Sequence, residues 1–284
     1  MDIELKTLAD TPLERVLDAF QGAFGDYAVG FDRREVESML ERRGFNAELS
    51  AAAFDGDRMV SFVLNGIGPY EGVLSGYDCG TGTLPGYRGE GLAGKLFEYS
   101  LPLLRDAGVS QYLLEVLTSN APAIAVYRRN GFETVAEYDC FRQEVGLLRL
   151  GSGLAADVEI RELTYDAFAS LPDFGDFAPS WQNSAESLRR GAAGLLFFGA
   201  YLRHEPVGCC VLDPITGDLA RIAVRRDYRR QGIATALLAS ATARAESASV
   251  KVLNVDRECD SPHRFLEAVG FGEGLSQYGM RRML

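Results

Sequence analysis

Lysine is nearly missing from this sequence: Lys6, Lys95 and Lys251 are the only three among 29 basic residues, and the rest are arginine. Against 40 acidic residues the net charge is −11, which disfavours nonspecific attraction to nucleic acid or to an anionic membrane surface. Histidine is scarce as well, with two residues, and there is one tryptophan, Trp181. The five cysteines (79, 140, 209, 210 and 259) show no metal-ligand spacing, and an odd number does not suit a disulfide framework. They read as buried free thiols in a reducing, cytoplasmic setting, with no bound metal. No apolar run is long enough to span a bilayer, residues 191–202 being the nearest, and the N-terminus lacks the basic-then-apolar order of a signal peptide. Soluble partners and no membrane are therefore expected. At 284 residues, 47% apolar and 24% charged, the chain is long enough for one large domain or two of ordinary size.

Glycine, by contrast, is plentiful, and it gathers where chemistry is expected. Residues 80–97 read GTGTLPGYRGEGLAGKLF. The pattern predicts a strand ending near Leu84, a Pro85-Gly86 turn and a helix opening near Gly89. A helix start offers unpaired N–H groups and the positive end of the dipole, so small residues beside it let a phosphate reach the backbone. Other phosphate-loop fingerprints do not fit: there is neither a G-x-x-x-x-G-K-[ST] nor a G-x-G-x-x-G opening an N-terminal strand–helix unit. Arg88-Gly89-Glu90-Gly91-Leu92-Ala93 resembles the [RQ]-x-x-G-x-[GA] signature of the GNAT N-acetyltransferases. The resemblance implies that Thr83, Leu84 and Arg88 to Ala93 hold the pyrophosphate arm of acetyl-CoA.

In chain order, residues 3–8 alternate like a strand, and Thr11-Pro12-Leu13-Glu14 predicts a capped helix to about Phe24. Asp32-Arg33-Arg34-Glu35 repeats the cap pattern for a second helix ending near Gly44. Residues 48–54 and 59–67 flank Asp55-Gly56-Asp57 as a hairpin. A strand at 76–84 and the helix after Gly89 follow, then a strand at 111–117, a short helix at 121–130 and a return to strand at Phe132. Residues 147–157 are rich in small side chains and aperiodic, so they predict a linker between domains at 1–146 and 158–284.

Beyond that linker the order recurs. Strands are expected at 158–163, 195–202, 207–212, 219–224 and 250–255, with an irregular, partly helical stretch at 164–191 and a short helix at 262–269. Tyr87-Arg88-x-x-Gly91-x-Ala93 reappears as Tyr228-Arg229-x-x-Gly232-x-Ala234, and Gly131-Phe132 as Gly270-Phe271. A repeat this long is a domain duplication. The resemblance therefore covers nearly the whole chain and implies an α/β fold of two tandem GNAT domains. Each would be a mixed, mostly antiparallel sheet flanked by helices, with acetyl-CoA wedged between two splayed strands.

Acetyl transfer to an amine needs a base for the ammonium and an acid for the departing thiolate, because an amine with a pKa near 10.4 is almost wholly protonated at neutral pH. Residues 113–132 are similar to the strand–helix segment of the ribosomal-protein N-terminal acetyltransferases. That likeness implies Glu115 as base, Tyr127 as acid and Asn120 as a contact to the pantetheine arm, with Asp78 a rival base. The second repeat departs from the pattern. Asn254 stands opposite Glu115, Leu266 opposite Tyr127 and Cys259 opposite Asn120, while Arg229, Gly232 and Ala234 remain for a CoA. His263, near Cys259 and Asp260, is a long shot for a metal or catalytic role, and Trp181 and Phe177 are expected to pack. The expected function is acetyl-CoA-dependent N-acetylation of an unnamed primary amine in the first domain, by a monomer or homodimer without nucleic-acid partners. The competing reading is a noncatalytic acyl-CoA-binding sensor or scaffold.

Overall fold

Strand β1 (Ile3–Thr7) keeps the predicted alternation, Ile3 and Leu5 inward and Glu4 and Lys6 to solvent. Helix α1 (Leu13–Phe24) begins one residue later than Thr11-Pro12 suggests. Pro12 occupies the cap position and no side chain caps it, while Glu14 pairs with Arg33 and makes no capping box. Helix α2 (Arg33–Arg43) starts as expected, with Asp32 and Glu35 each accepting the other's backbone N–H, and ends at Gly44 in the left-handed conformation. Strands β2 (Ala51–Asp55), β3 (Arg58–Tyr70) and β4 (Val73–Thr83) form antiparallel hairpins. Helix α3 (Leu92–Asp106), strand β5 (Gln111–Leu117) and helix α4 (Ala121–Arg129) follow.

The described residues are 3–25, 32–151, 157–272 and 274–284 of this computed structural model. The chain divides into two compact units, Met1–Ala136 with Tyr278–Leu284, and Glu137–Gln277. In the first, β1 to β5 lie in sequence order. The β4–β5 pair is parallel and short: among the described residues Ser75 to Tyr77 face Gln111 to Leu113, and the strands part beyond them. Just past that point β4 carries a bulge at Cys79, with Leu64 opposite Gly80 and Asn65 opposite Asp78.

The second unit contains most of β6 (Glu133–Glu144), then β7 (Val158–Leu163), α5 (Tyr165–Ala169), α6 (Ala185–Arg190), β8 (Leu196–Leu202), β9 (Glu205–Leu212), β10 (Leu219–Val224), α7 (Ile233–Thr242), β11 (Ser249–Asp256) and α8 (Asp260–Ala268). Strands β7 to β10 form an antiparallel sheet, and β11 pairs with β6. Here the splay goes further: β10 and β11 meet at the single bridge Asp218–Lys251. Strand β12 (Leu275–Met283) ends in the first unit, where Leu284 N–H donates to Ser110 O at 3.0 Å.

The sequence repeats and the compact units thus part company at their last strands, since β6 leaves the first unit after Ala136 and Tyr278 onward joins it. The expected linker at 147–157 falls partly on residues 152–156, outside the described residues. Its first part is tied down: Arg149 N–H donates to Val269 O at 2.9 Å, and Leu148 and Leu150 pack on the second unit's core. All five cysteines are free thiols and four are buried. Trp181 is 2% exposed and carries Arg190 over its ring, so it packs as expected. No helix among the described residues is long and apolar enough to cross a membrane.

Candidate active site

Both glycine loops fold as their sequences demand. A short 3-10 turn, Pro85–Tyr87, leads to Gly89 and Gly91, with φ of 88° and 71°, and Gly91 caps α3. A side chain there would be strained, which is why glycine stands at both. A Cβ added at Gly86, Gly89, Gly91 or Gly94 would meet nothing within 4 Å, so the helix start opens onto free space. The residues thus fit a phosphate-bearing ligand at the α3 N-terminus. Arg88 turns back to brace the loop, donating to Thr83 O at 3.2 Å and Ala23 O at 2.9 Å. In the second unit Arg229 makes the equivalent bond to Val224 O at 3.0 Å, and Gly232 caps α7 with φ of 78°.

The proton-transfer candidates sit where β4 and β5 diverge. Strand alternation sends Tyr77 and Asp78 to opposite faces. Tyr77 lies under the Arg43 guanidinium of α2, 5.7 Å from its ring centroid, and donates its O–H to Glu115 Oε2. Asp78, 6% exposed, accepts from Tyr127 Oη at 3.3 Å, from Thr81 Oγ1 at 2.8 Å and from Gly80 N–H at 2.9 Å. The Tyr127 ring is itself clamped edge-on by Phe97 and Phe132, with centroids 5.6 and 5.8 Å away. Phe132 of the Gly131-Phe132 stop is therefore part of the scaffold around Tyr127. The structure brings Tyr127 to Asp78 and Glu115 to Tyr77. Asn120 caps α4 through Oδ1, which accepts from Ala123 N–H at 3.2 Å.

Burial raises the Glu115 carboxyl above its ordinary range, opposed by the Tyr77 hydrogen bond and the Arg43 charge. Burial likewise pushes Asp78 up to about 6, opposed by its bonds from Thr81, Gly80 and Tyr127 and by Arg43. The folded value exceeds the unfolded one, so the folded state holds this proton more tightly. Stability from that source is present below about pH 4 and is lost as pH rises through the folded value. Asp78→Asn removes the dependence. Urea titrations should show wild type losing on the order of 3 kcal/mol relative to Asp78→Asn between about pH 4 and pH 7. A constant difference across that window would contradict the raised carboxyl.

Comparison with known proteins places these features in a family. Residues 13–132 match the acetyltransferase (GNAT) family model and residues 193–273 match an acetyltransferase (GNAT) domain model. The chain belongs to the GNAT superfamily and carries two of its domains in tandem. Among similar proteins, N-alpha-acetyltransferase 30 of Schizosaccharomyces pombe is 34% identical over 86 residues, 30% of this chain and 57% of that protein. Mycothiol acetyltransferase of Saccharomonospora viridis is 50% identical over 54 residues, 19% of this chain and 18% of that protein. The chain thus spans little more than half of the first relative and under a fifth of the second. A tandem GNAT protein from the clavulanic acid biosynthesis pathway has the same fold, with a TM-score of 0.74 at 14% identity over 99% of this chain and 98% of its own. GNAT enzymes use acetyl-CoA, so the opening at Gly89 and Gly91 is read in those terms.

The second GNAT domain encloses a cavity of about 970 Å³ between β10 and β11, bounded by Val224, Arg229, Gly232, Val252, Asn254 and Leu266. Two of its lining residues, Asn254 and Leu266, stand at the positions that match Glu115 and Tyr127 of the first repeat. Leu266 is 1% exposed, and Asn254, 1% exposed with φ of 57° in the β11 bulge, donates its amide to Ser180 Oγ at 2.9 Å. Arg229 meets a carboxylate, Asp176, at 2.9 Å. Burial opposes ionisation of Asp176, but Arg229 outweighs it and holds the carboxyl below its usual range. His263 serves structure: Nδ1 faces Cys259 O at 2.8 Å and Nε2 faces Asp139 Oδ2 at 3.2 Å, tying α8 to β6. No cluster of metal-ligating side chains occurs among the described residues. Sequence reasoning missed Arg43, Tyr77 and Asp176. Each acts across 36 or more residues of chain, and nothing local marks it.

Proposed function

We propose that the protein is an acetyl-CoA-dependent N-acetyltransferase acting on a primary amine, with its active site in the first GNAT domain. The observation that carries this is the pair of tyrosine–carboxylate contacts at the divergence of β4 and β5, in the same unit as the open helix start. The backbone around Arg88 to Ala93 would hold acetyl-CoA, which supplies the acetyl group as a thioester. Glu115, its carboxyl raised above the ordinary range by burial, takes a proton from the acceptor's ammonium so that its nitrogen lone pair becomes available. Tyr127 gives a proton to the departing sulfur and regains one from solvent, Glu115 releases to solvent the proton it took, and the hydrogen bond to Asp78 holds the phenol in place. That contact also supports a second assignment, in which Asp78 is the base: Glu115→Gln would then keep full activity.

The excess of acidic residues favours a cationic acceptor. Free-thiol release from acetyl-CoA with a panel of amines tests the function. The panel begins with peptide α-amines, because the yeast relative bears the name of an N-alpha-acetyltransferase. Turnover with one class supports the reading. Acetyl-CoA binding without thiol release from any of them would instead favour an acyl-CoA sensor.

A further inference from the structure

We propose that Arg43 and Tyr77 are positioning residues that keep the base Glu115 ionised and aimed, Arg43 by its charge and Tyr77 by its hydrogen bond. This rests on the assignment of Glu115 as base in the first domain.

The backbone of Arg43 is held rigidly for such a task. Helix α2 ends at Gly44, whose carbonyl accepts from Ile67 N–H at 3.1 Å, and Asn46 N–H donates to Asn65 O at 2.8 Å, so the helix end is stitched to β3. The match is close enough that a Cβ at Gly66 would collide with the Arg43 carbonyl. From this anchor the guanidinium reaches β4, donating from Nη1 to Cys79 O at 2.7 Å and lying over the Tyr77 ring. Tyr77 is 2% exposed, and its phenol is pushed well above the ordinary range by burial and by the Glu115 charge. It therefore stays protonated and remains a donor throughout the working pH range. Arginine suits the other role because it cannot lose its proton in a protein.

The surrounding charges define what these two residues must balance. Glu115 arrives from β5, Asp78 from β4, and Tyr70 and Glu71 from the β3–β4 turn, with Glu71 3.6 Å from Arg281 of β12. Tyr127 faces Asp78 from α4, and Cys79 lies beside Arg43. Both carboxyls, Glu115 and Asp78, thus feel the charge of the buried Arg43 guanidinium. Without Arg43, burial and mutual repulsion both favour protonated carboxyls, and a protonated Glu115 cannot accept the ammonium proton. Without the Tyr77 hydroxyl, the carboxylate loses the donor that fixes its orientation.

Carboxyl NMR titration of the full chain, labelled with ¹³C at Asp and Glu carboxyls, measures the effect directly and needs no acceptor. The Glu115 midpoint should rise in both Tyr77→Phe and Arg43→Met and return toward wild type in Arg43→Lys. Once an acceptor is found, thiol release at pH 6 should fall by about tenfold in Tyr77→Phe and Arg43→Met, release at pH 9 should recover in Arg43→Met, and acetyl-CoA affinity should stay near wild type in both. An unmoved Glu115 midpoint in Tyr77→Phe and Arg43→Met overturns the proposal. If Arg43→Met does not fold, an unmoved midpoint in Tyr77→Phe is sufficient to do so. Absence of thiol release across the amine panel is a separate result, which counts against the enzymatic reading and leaves the titration interpretable.

Discussion

Tyr127→Phe should lower kcat by about 10²–10⁴-fold and leave acetyl-CoA affinity close to wild type. The substitution keeps the ring that Phe97 and Phe132 clamp, in a site 8% exposed, so the packing of α4 on α3 is preserved. What it removes is the O–H that lies 3.3 Å from Asp78 Oδ2. A thiolate leaving without a proton donor is a poorer leaving group in the transition state, whereas the ground-state hold on acetyl-CoA comes from the helix start. The loss should therefore fall on kcat alone. Asp78 keeps its bonds from Gly80 N–H and Thr81 Oγ1 but loses the one from Tyr127, so its carboxyl rises further. Steady-state thiol release and calorimetry on the same preparation separate the two quantities. A kcat indistinguishable from wild type would remove Tyr127 from the mechanism.

The second large effect is a contrast between the two loops. Gly91→Glu should weaken acetyl-CoA binding by about 10²-fold or more, a few kcal/mol of lost contact and added repulsion. The new carboxylate would stand at the positive end of a 15-residue helix, in space that is open for a ligand's phosphates. Gly91→Ala is the control, because φ of 71° strains alanine and glutamate alike while only glutamate brings the charge. Gly232→Glu places the same change at φ of 78° in the second domain, where Asn254 and Leu266 stand in place of Glu115 and Tyr127. Thiol release should persist in that variant and vanish in Gly91→Glu. A lowered melting temperature for Gly232→Glu, with loss of the rise that acetyl-CoA gives, would show that the second cavity holds a CoA that it does not use. Reversal of the two activities would move chemistry to the second domain.

Much of this molecule was legible residue by residue. The α2 capping box, the hairpin turn at Asp55-Gly56-Asp57 and the β5, β7 and β10 boundaries all depend on contacts within about four residues along the chain. Backbone sterics and side-chain periodicity act at that range, so a sequence records them directly. The repeat of Tyr-Arg-x-x-Gly-x-Ala likewise carried the tandem GNAT architecture. The misjudged start of α1 has the same local character: proline at the cap position excluded the threonine cap that the pattern suggested.

Tertiary structure alone decided the rest. Glu115 is separated by 38 residues from the tyrosine that donates to it, Tyr127 by 49 from the aspartate it contacts, and Arg229 by 53 from Asp176. Such pairs leave no periodic trace, because either partner could sit on any exposed face until the sheet registers are set. The same holds for the last strands, where Tyr278–Leu284 joins the first unit and Glu137 onward joins the second. A strand's sequence states that one face is apolar and that its edges need partners, and several sheet edges satisfy both requirements. Which edge it takes is settled by packing of the whole chain, and that choice also settles which charges end beside the buried carboxyls.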